Sequence, residues 1–117
     1  EDIDTFYVSI HANAGGGTGF EIFTSPGQTE SDLFADIIAT HYAEEFPELR
    51  FRADRSDGDH DKEARFYVLT KTKMPAVLIE AAFMDTLTPD CELLMSEKGR
   101  DRIAHAIFRG LKQIYAG

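Results

Sequence analysis

The stretch Met74-Pro-Ala-Val-Leu-Ile-Glu-Ala-Ala-Phe83 constrains the fold more than any other part of the chain. Pro75 opens it, Ala76 to Ile79 are uniformly apolar, and Glu80 stands where that run stops. Four apolar residues without alternation, after a proline that suits the first position of a strand, predict a short β-strand buried on both faces. Open α/β sheets place their chemistry just beyond the carboxyl ends of such strands. A carboxylate leaving an apolar strand is costly to ionise unless a cationic group lies opposite. Glu80 is therefore the first residue that needs a reason.

A second stretch repeats the design. Phe6-Tyr-Val-Ser-Ile-His11 is strand-like and ends in a metal-competent imidazole, followed by the small residues Ala12-Asn-Ala-Gly-Gly-Gly17. If the two strands are parallel, His11 and Glu80 leave the sheet at the same edge and share one crevice. Spacing alone leaves two readings open: a pair of acid–base or ligand groups, or an ordinary strand-end histidine and a surface acid.

Size and charge narrow the field. A chain of 117 residues is one domain, large enough for a hydrophobic core. No run approaches the roughly 20 apolar residues of a membrane span. Glu1-Asp-Ile-Asp4 is acidic and unlike an export signal, which says nothing about destination. A net charge of −9 argues against a nucleic-acid partner, which calls for a basic face. The single cysteine, Cys91, excludes an internal disulfide framework and a multi-cysteine zinc site.

Between and after the two stretches the pattern predicts the following order. Gly19 to Thr24 alternates as a strand near the first and antiparallel to it, with Phe20 and Ile22 on one face and Glu21 and Phe23 on the other. Pro26-Gly27 is a turn. Thr29 or Ser31 caps a helix whose stripe runs through Leu33, Phe34, Ile37, Ile38, His41, Tyr42 and Phe46, with Pro47 ending it. His41 is a packed or rim residue rather than a ligand. Leu49 to Ala53 is extended. Asp57, Asp59 and Asp61 resemble a calcium loop, but Lys62 and Val68 stand where its glycine and bidentate acid belong, so the polar stretch Asp54–Glu63 reads as a solvated loop, or else as a loop lining the site that His60 could reach. Phe66 to Leu69 is a further ordered apolar piece. Thr88 and Pro89 start a short helix burying Leu93, Leu94 and Met95. Ser96 caps a last helix with the stripe Ile103, Ala104, Ile107, Phe108, Leu111, Ile114 and Tyr115, in which Gly110 implies close packing and His105 faces out.

The chemistry these residues favour is metal-assisted hydrolysis. A neutral imidazole is a good zinc ligand, and a nearby glutamate can take a proton from a water activated by the metal. A catalytic zinc takes about three protein ligands, and His11 alone is evident here. Nucleophilic alternatives are weaker: Ser9 lies mid-strand with an expected buried hydroxyl, Cys91 has no paired histidine, and no G-x-S-x-G elbow exists. Gly15-Gly-Gly17 is followed by neither lysine nor helix start, so it reads as a bend rather than a phosphate cradle.

Taken as an ordered series, Phe6-Tyr-Val-Ser-Ile-His-Ala-Asn-Ala14, Gly19-Phe-Glu-Ile-Phe23, Phe66-Tyr-Val-Leu69, Pro75 to Phe83, and Ile103-Ala-x-Ala-Ile-x-x-Gly-Leu111 resemble the zinc-dependent N-acetylmuramoyl-L-alanine amidases of the amidase-3 type, which include cell-wall amidases and phage endolysin domains. The resemblance implies an α/β fold with a mixed, mostly parallel sheet and helices on both faces. It implies hydrolysis of the amide between N-acetylmuramic acid and L-alanine in peptidoglycan, outside the cytoplasm or released by a phage at lysis. By position His11 matches a zinc ligand, Glu80 the catalytic glutamate, and Asn13 a residue that helps shape the substrate cleft. Ala82 and Met84-Asp-Thr86 depart from the family pattern around the catalytic acid. The family's other zinc ligands belong to a strand and helix preceding the matched series, and neither His60 nor Glu21 lies at a matching position. The expectation is thus a partial catalytic domain spanning residues 1–117 that binds zinc weakly alone. A catalytically inactive wall-binding or regulatory domain is the alternative.

Overall fold

The computed structural model describes residues 5–24, 29–51 and 75–116. The polar loop with Asp57, Asp59, His60 and Asp61, the Pro26-Gly27 turn and the segment Phe66–Leu69 lie outside the described residues. Three strands, β1 (Tyr7–Asn13), β2 (Glu21–Thr24) and β3 (Ala76–Phe83), form one sheet in the order β1-β3-β2. β1 and β3 run parallel, with Ser9 opposite Leu78 and His11 opposite Glu80. β2 runs antiparallel, but to β3 rather than to its sequence neighbour β1. The apolar strand takes the centre because it alone is buried along its whole length. It also continues through Glu80 to Phe83, since Ala81, Ala82 and Phe83 stay apolar and buried. Glu80 is therefore mid-strand, not at the strand's end.

Two long helices, α1 (Thr29–Glu45) and, after the short α2 (Glu92–Met95), α3 (Glu97–Ala116), complete the mixed α/β fold. Phe34, Ile38 and Tyr42 of α1 and Ile103 and Ile107 of α3 share one core with Val77, Ile79 and Ala81. Phe20 and Ile22 join that core, while Phe23 packs with Ala76 and Leu78 on the other face, as the alternation of β2 requires. Ser96 caps α3 as expected, its Oγ accepting from the Gly99 amide at 2.9 Å.

Several positions differ from the periodic reading. Ser31 lies inside α1 and is buried, accepting a hydrogen bond from the Ala76 amide at 3.0 Å, so it ties helix to sheet instead of capping the helix. Leu33, Ala104, Phe108, Tyr115 and Met95 are exposed. In α3 the buried face runs through Ile103, Ala106, Ile107, Gly110 and Ile114, because small residues let the helix sit close on α1. A Cβ at Gly110 would meet Ile38 Cγ1 at 2.9 Å and Ile38 Cα at 3.0 Å, and that closeness rotates Phe108 outward.

Candidate active site

The site is a row across the sheet. Paired residues of neighbouring strands project from the same face about 5 Å apart, and His11, Glu80 and Glu21 occupy three consecutive places at one level, since Glu80 pairs with both of the others. Glu80 is completely buried and Glu21 nearly so, while His11 is half-buried. Glu80 is therefore no surface acid. His11 stands directly across the ladder from that acid. Glu21 is the member that sequence reasoning left out. Its alternation with Phe23 placed it on this face, but only the antiparallel pairing to β3 sets it against Glu80.

Asn13, expected at the substrate cleft, is buried, and its side chain is engaged inside the protein. Its Nδ2 donates to Glu21 Oε1 at 2.9 Å and its Oδ1 accepts from the Ala14 amide at 2.8 Å. Its carbonyl accepts from the Met84 amide at 2.7 Å, joining the ends of β1 and β3 beside a register shift between His11 and Asn13. Ser9 is half-buried rather than buried, and its Oγ lies 2.7 Å from His11 Nε2.

The glycine run beyond β1 is held by carboxylates from the segment after β3. Gly15 and Gly16, both at positive φ, donate their amides to Asp85 Oδ2 at 2.9 and 3.0 Å. Asp90 is fully buried. It accepts from the Thr18 hydroxyl and, at 2.9 Å each, from the Gly19 and Phe83 amides. The run is a bend, as its sequence suggests, and the amides it exposes are taken by an internal carboxylate. These two acids fix the loop that flanks the His11–Glu80 row to the end of the strand carrying Glu80. Beside β1 a hollow of about 290 Å³ opens, lined by Ile10, His11, Ala12, Ala81, Leu94 and Arg100 among others.

Neither rival chemistry gains from the structure. Cys91 is a free, half-buried thiol at the end of a wide helical turn, Leu87–Cys91. His41 is on the far helical side, bonded through Nε2 to Gln113 Oε1 at 2.7 Å, and His105 is exposed. An imidazole beside two buried carboxylates is a donor set that positive charge close by would stabilise, and its chemistry suits zinc. Among the described residues, however, no group of three or more histidine, cysteine or acidic side chains is placed to hold a metal ion. His11 fits as one ligand of a zinc ion, not as a whole site.

Residues 3–113 match the Amidase_3 family, N-acetylmuramoyl-L-alanine amidase. The chain belongs to this amidase family. It is 39% identical over 111 residues to the N-acetylmuramoyl-L-alanine amidase CwlM of Bacillus licheniformis, covering 94% of this chain and 40% of that protein. It is 35% identical over 113 residues to the sporulation-specific N-acetylmuramoyl-L-alanine amidase of Bacillus subtilis, again covering 94% of this chain and 40% of the relative. Its fold superposes on the amidase AmiC2 of Nostoc punctiforme with a TM-score of 0.80 at 27% identity, covering 97% of this chain and 59% of that one. The chain thus spans about two fifths of the curated amidases it matches and three fifths of the solved amidase domain.

Proposed function

We propose that this chain carries the catalytic-glutamate part of a zinc-dependent peptidoglycan amidase, acting at the cell wall outside the cytoplasm. The observation that carries the reading is the pairing of His11 with a wholly buried Glu80 on adjacent parallel strands, in a chain of the amidase family. The scissile bond would be the amide between the lactyl group of N-acetylmuramic acid and L-alanine. Zinc, when bound, polarises the carbonyl and makes a water nucleophilic near neutral pH. His11 would supply one neutral imidazole ligand to that ion. The remaining ligands would come from the part of the amidase domain that this chain does not span.

Glu80 takes a proton from the attacking water and returns it to the alanine nitrogen as the C–N bond breaks, and the water's second proton ends on the released amine, so that water and amide become a lactyl carboxylate and an alanine ammonium group. Its place within the central strand suits that work, since a carboxylate fixed on a rigid strand keeps its geometry through the proton transfer. Asn13 shapes the site indirectly by orienting Glu21. Asp85 and Asp90 hold the glycine loop as one wall of the cleft.

The test is Glu80→Gln in the full-length protein, assayed on purified peptidoglycan. Zinc content should stay at the wild-type level while turnover falls by about 10²- to 10⁴-fold, the usual contribution of a positioned general acid–base. Turnover that survives the substitution would remove Glu80 from the mechanism.

A further inference from the structure

The hydroxyl of Ser9 has a task that the strand pattern does not foretell. Ser9 and His11 are two residues apart on β1 and so project from the same face. Opposite Ser9 on β3 stands Leu78, apolar and wholly buried, which offers the hydroxyl nothing. The hydroxyl instead turns along its own strand and meets His11 Nε2 at 2.7 Å. One imidazole nitrogen cannot hold both a hydroxyl and a metal ion. With Nε2 engaged by Ser9, Nδ1 is the nitrogen left for coordination.

We infer that Ser9 is a positioning residue that fixes the ring of His11 so that Nδ1 is presented to the zinc ion. The inference rests on the amidase reading above. A metal-ligating imidazole gives its lone pair from one nitrogen and carries its proton on the other, and that N–H is ordinarily held by an acceptor that sets tautomer and ring orientation. With the metal on Nδ1, Nε2 carries the proton and donates it to Ser9 Oγ, 2.7 Å away. Alanine at this position would leave a half-buried N–H without its acceptor and free the ring to turn.

The experiment uses the full-length protein with zinc alone as the probe. Ser9→Ala should weaken zinc binding, measured by competition with a chelator, by about 10- to 100-fold, and Ser9→Thr should restore it. Nitrogen NMR of the wild type should show the metal on His11 Nδ1 and the proton on Nε2, a readout that needs no variant to fold. Wild-type affinity in Ser9→Ala, or the metal on Nε2, would overturn the inference. If His11→Ala loses zinc while Ser9→Ala keeps it, Ser9 alone is misassigned. If His11→Ala keeps zinc, the metal-ligand reading itself fails.

Discussion

Alternate residues of β3 face two different environments with equal degrees of burial. Val77, Ile79 and Ala81 join the core formed with α1 and α3, whereas Leu78 and Glu80 belong to the face that carries Ser9 and His11. Ile79 and Glu80 are neighbours, both wholly inaccessible to solvent. Depth therefore does not separate a residue of the apolar core from the one proposed for catalysis. What separates them is the next strand over. Ile79 pairs with Ile10 and Ile22, while Glu80 pairs with His11 and Glu21.

The sharpest way to break this contrast is to exchange the two kinds of loss. Glu80→Gln, with the effect on turnover given above, keeps shape and volume and should leave the melting temperature close to that of wild type. Ile79→Ala should do the reverse. Removing a wholly buried isoleucine costs about 2–5 kcal/mol, from lost transfer energy and the cavity left behind. Denaturant unfolding should register that loss, while turnover per folded molecule stays near wild type. If Glu80→Gln proved as destabilising as Ile79→Ala, the polar row would be a scaffold rather than a site.

The same contrast explains what was legible beforehand. The apolar face was readable because periodicity is local: Phe34, Ile38 and Tyr42 recur on α1, and Ala76 to Ile79 run unbroken. His11 and Glu80 were readable because each ends or interrupts an apolar run. Glu21, Ser9, Asp85 and Asp90 were not, since each acquires its meaning from a partner in another element or from the direction of a hydroxyl. Asp90 bonds Thr18 and Gly19, more than 70 positions earlier in the chain, and no local pattern announces such a contact. The strand order also escaped, because β2 follows β1 in sequence yet pairs across β3. On the helices, periodicity found the stripe but not its rotation, which the small residues Ala106 and Gly110 decide.

A smaller effect probes that rotation. Gly110→Ala brings about 1 kcal/mol of helix propensity. The new methyl, however, meets Ile38 at both Cγ1 and Cα, so α1 itself must move. Overpacking of this kind costs about 1–3 kcal/mol, and the net change should be a loss of up to about 2 kcal/mol. A gain in stability, read from the midpoint of urea unfolding, would mean that the two helices tolerate a wider spacing and that Phe108 faces outward for another cause.

The smallest effect lies at the far end of the helical side, where charge rather than apolar contact joins α1 to α3. Arg102 of α3 bonds Glu45 at 3.0 Å and Glu48 at 2.8 Å, and its guanidinium lies over the Phe46 ring, 4.4 Å from the centroid. The hydrogen bond from Arg102 holds the Glu48 carboxyl below its ordinary value of 4.5. A group whose native pKa is depressed stabilises the fold above its unfolded pKa, and that contribution disappears as the pH falls through the native value. The clamp should therefore act at neutral pH and release on acidification from about 4.5 downward. Glu48 is exposed enough for solvent to screen most of the attraction, so Glu48→Gln should change neutral-pH stability only slightly. The acid limb of the stability curve should nonetheless flatten in the variant relative to wild type. Parallel acid limbs would show that the Glu48 arm of the clamp contributes nothing, leaving Glu45, the Phe46 ring and the apolar contacts around Gly110 to hold Arg102 and α3 on α1.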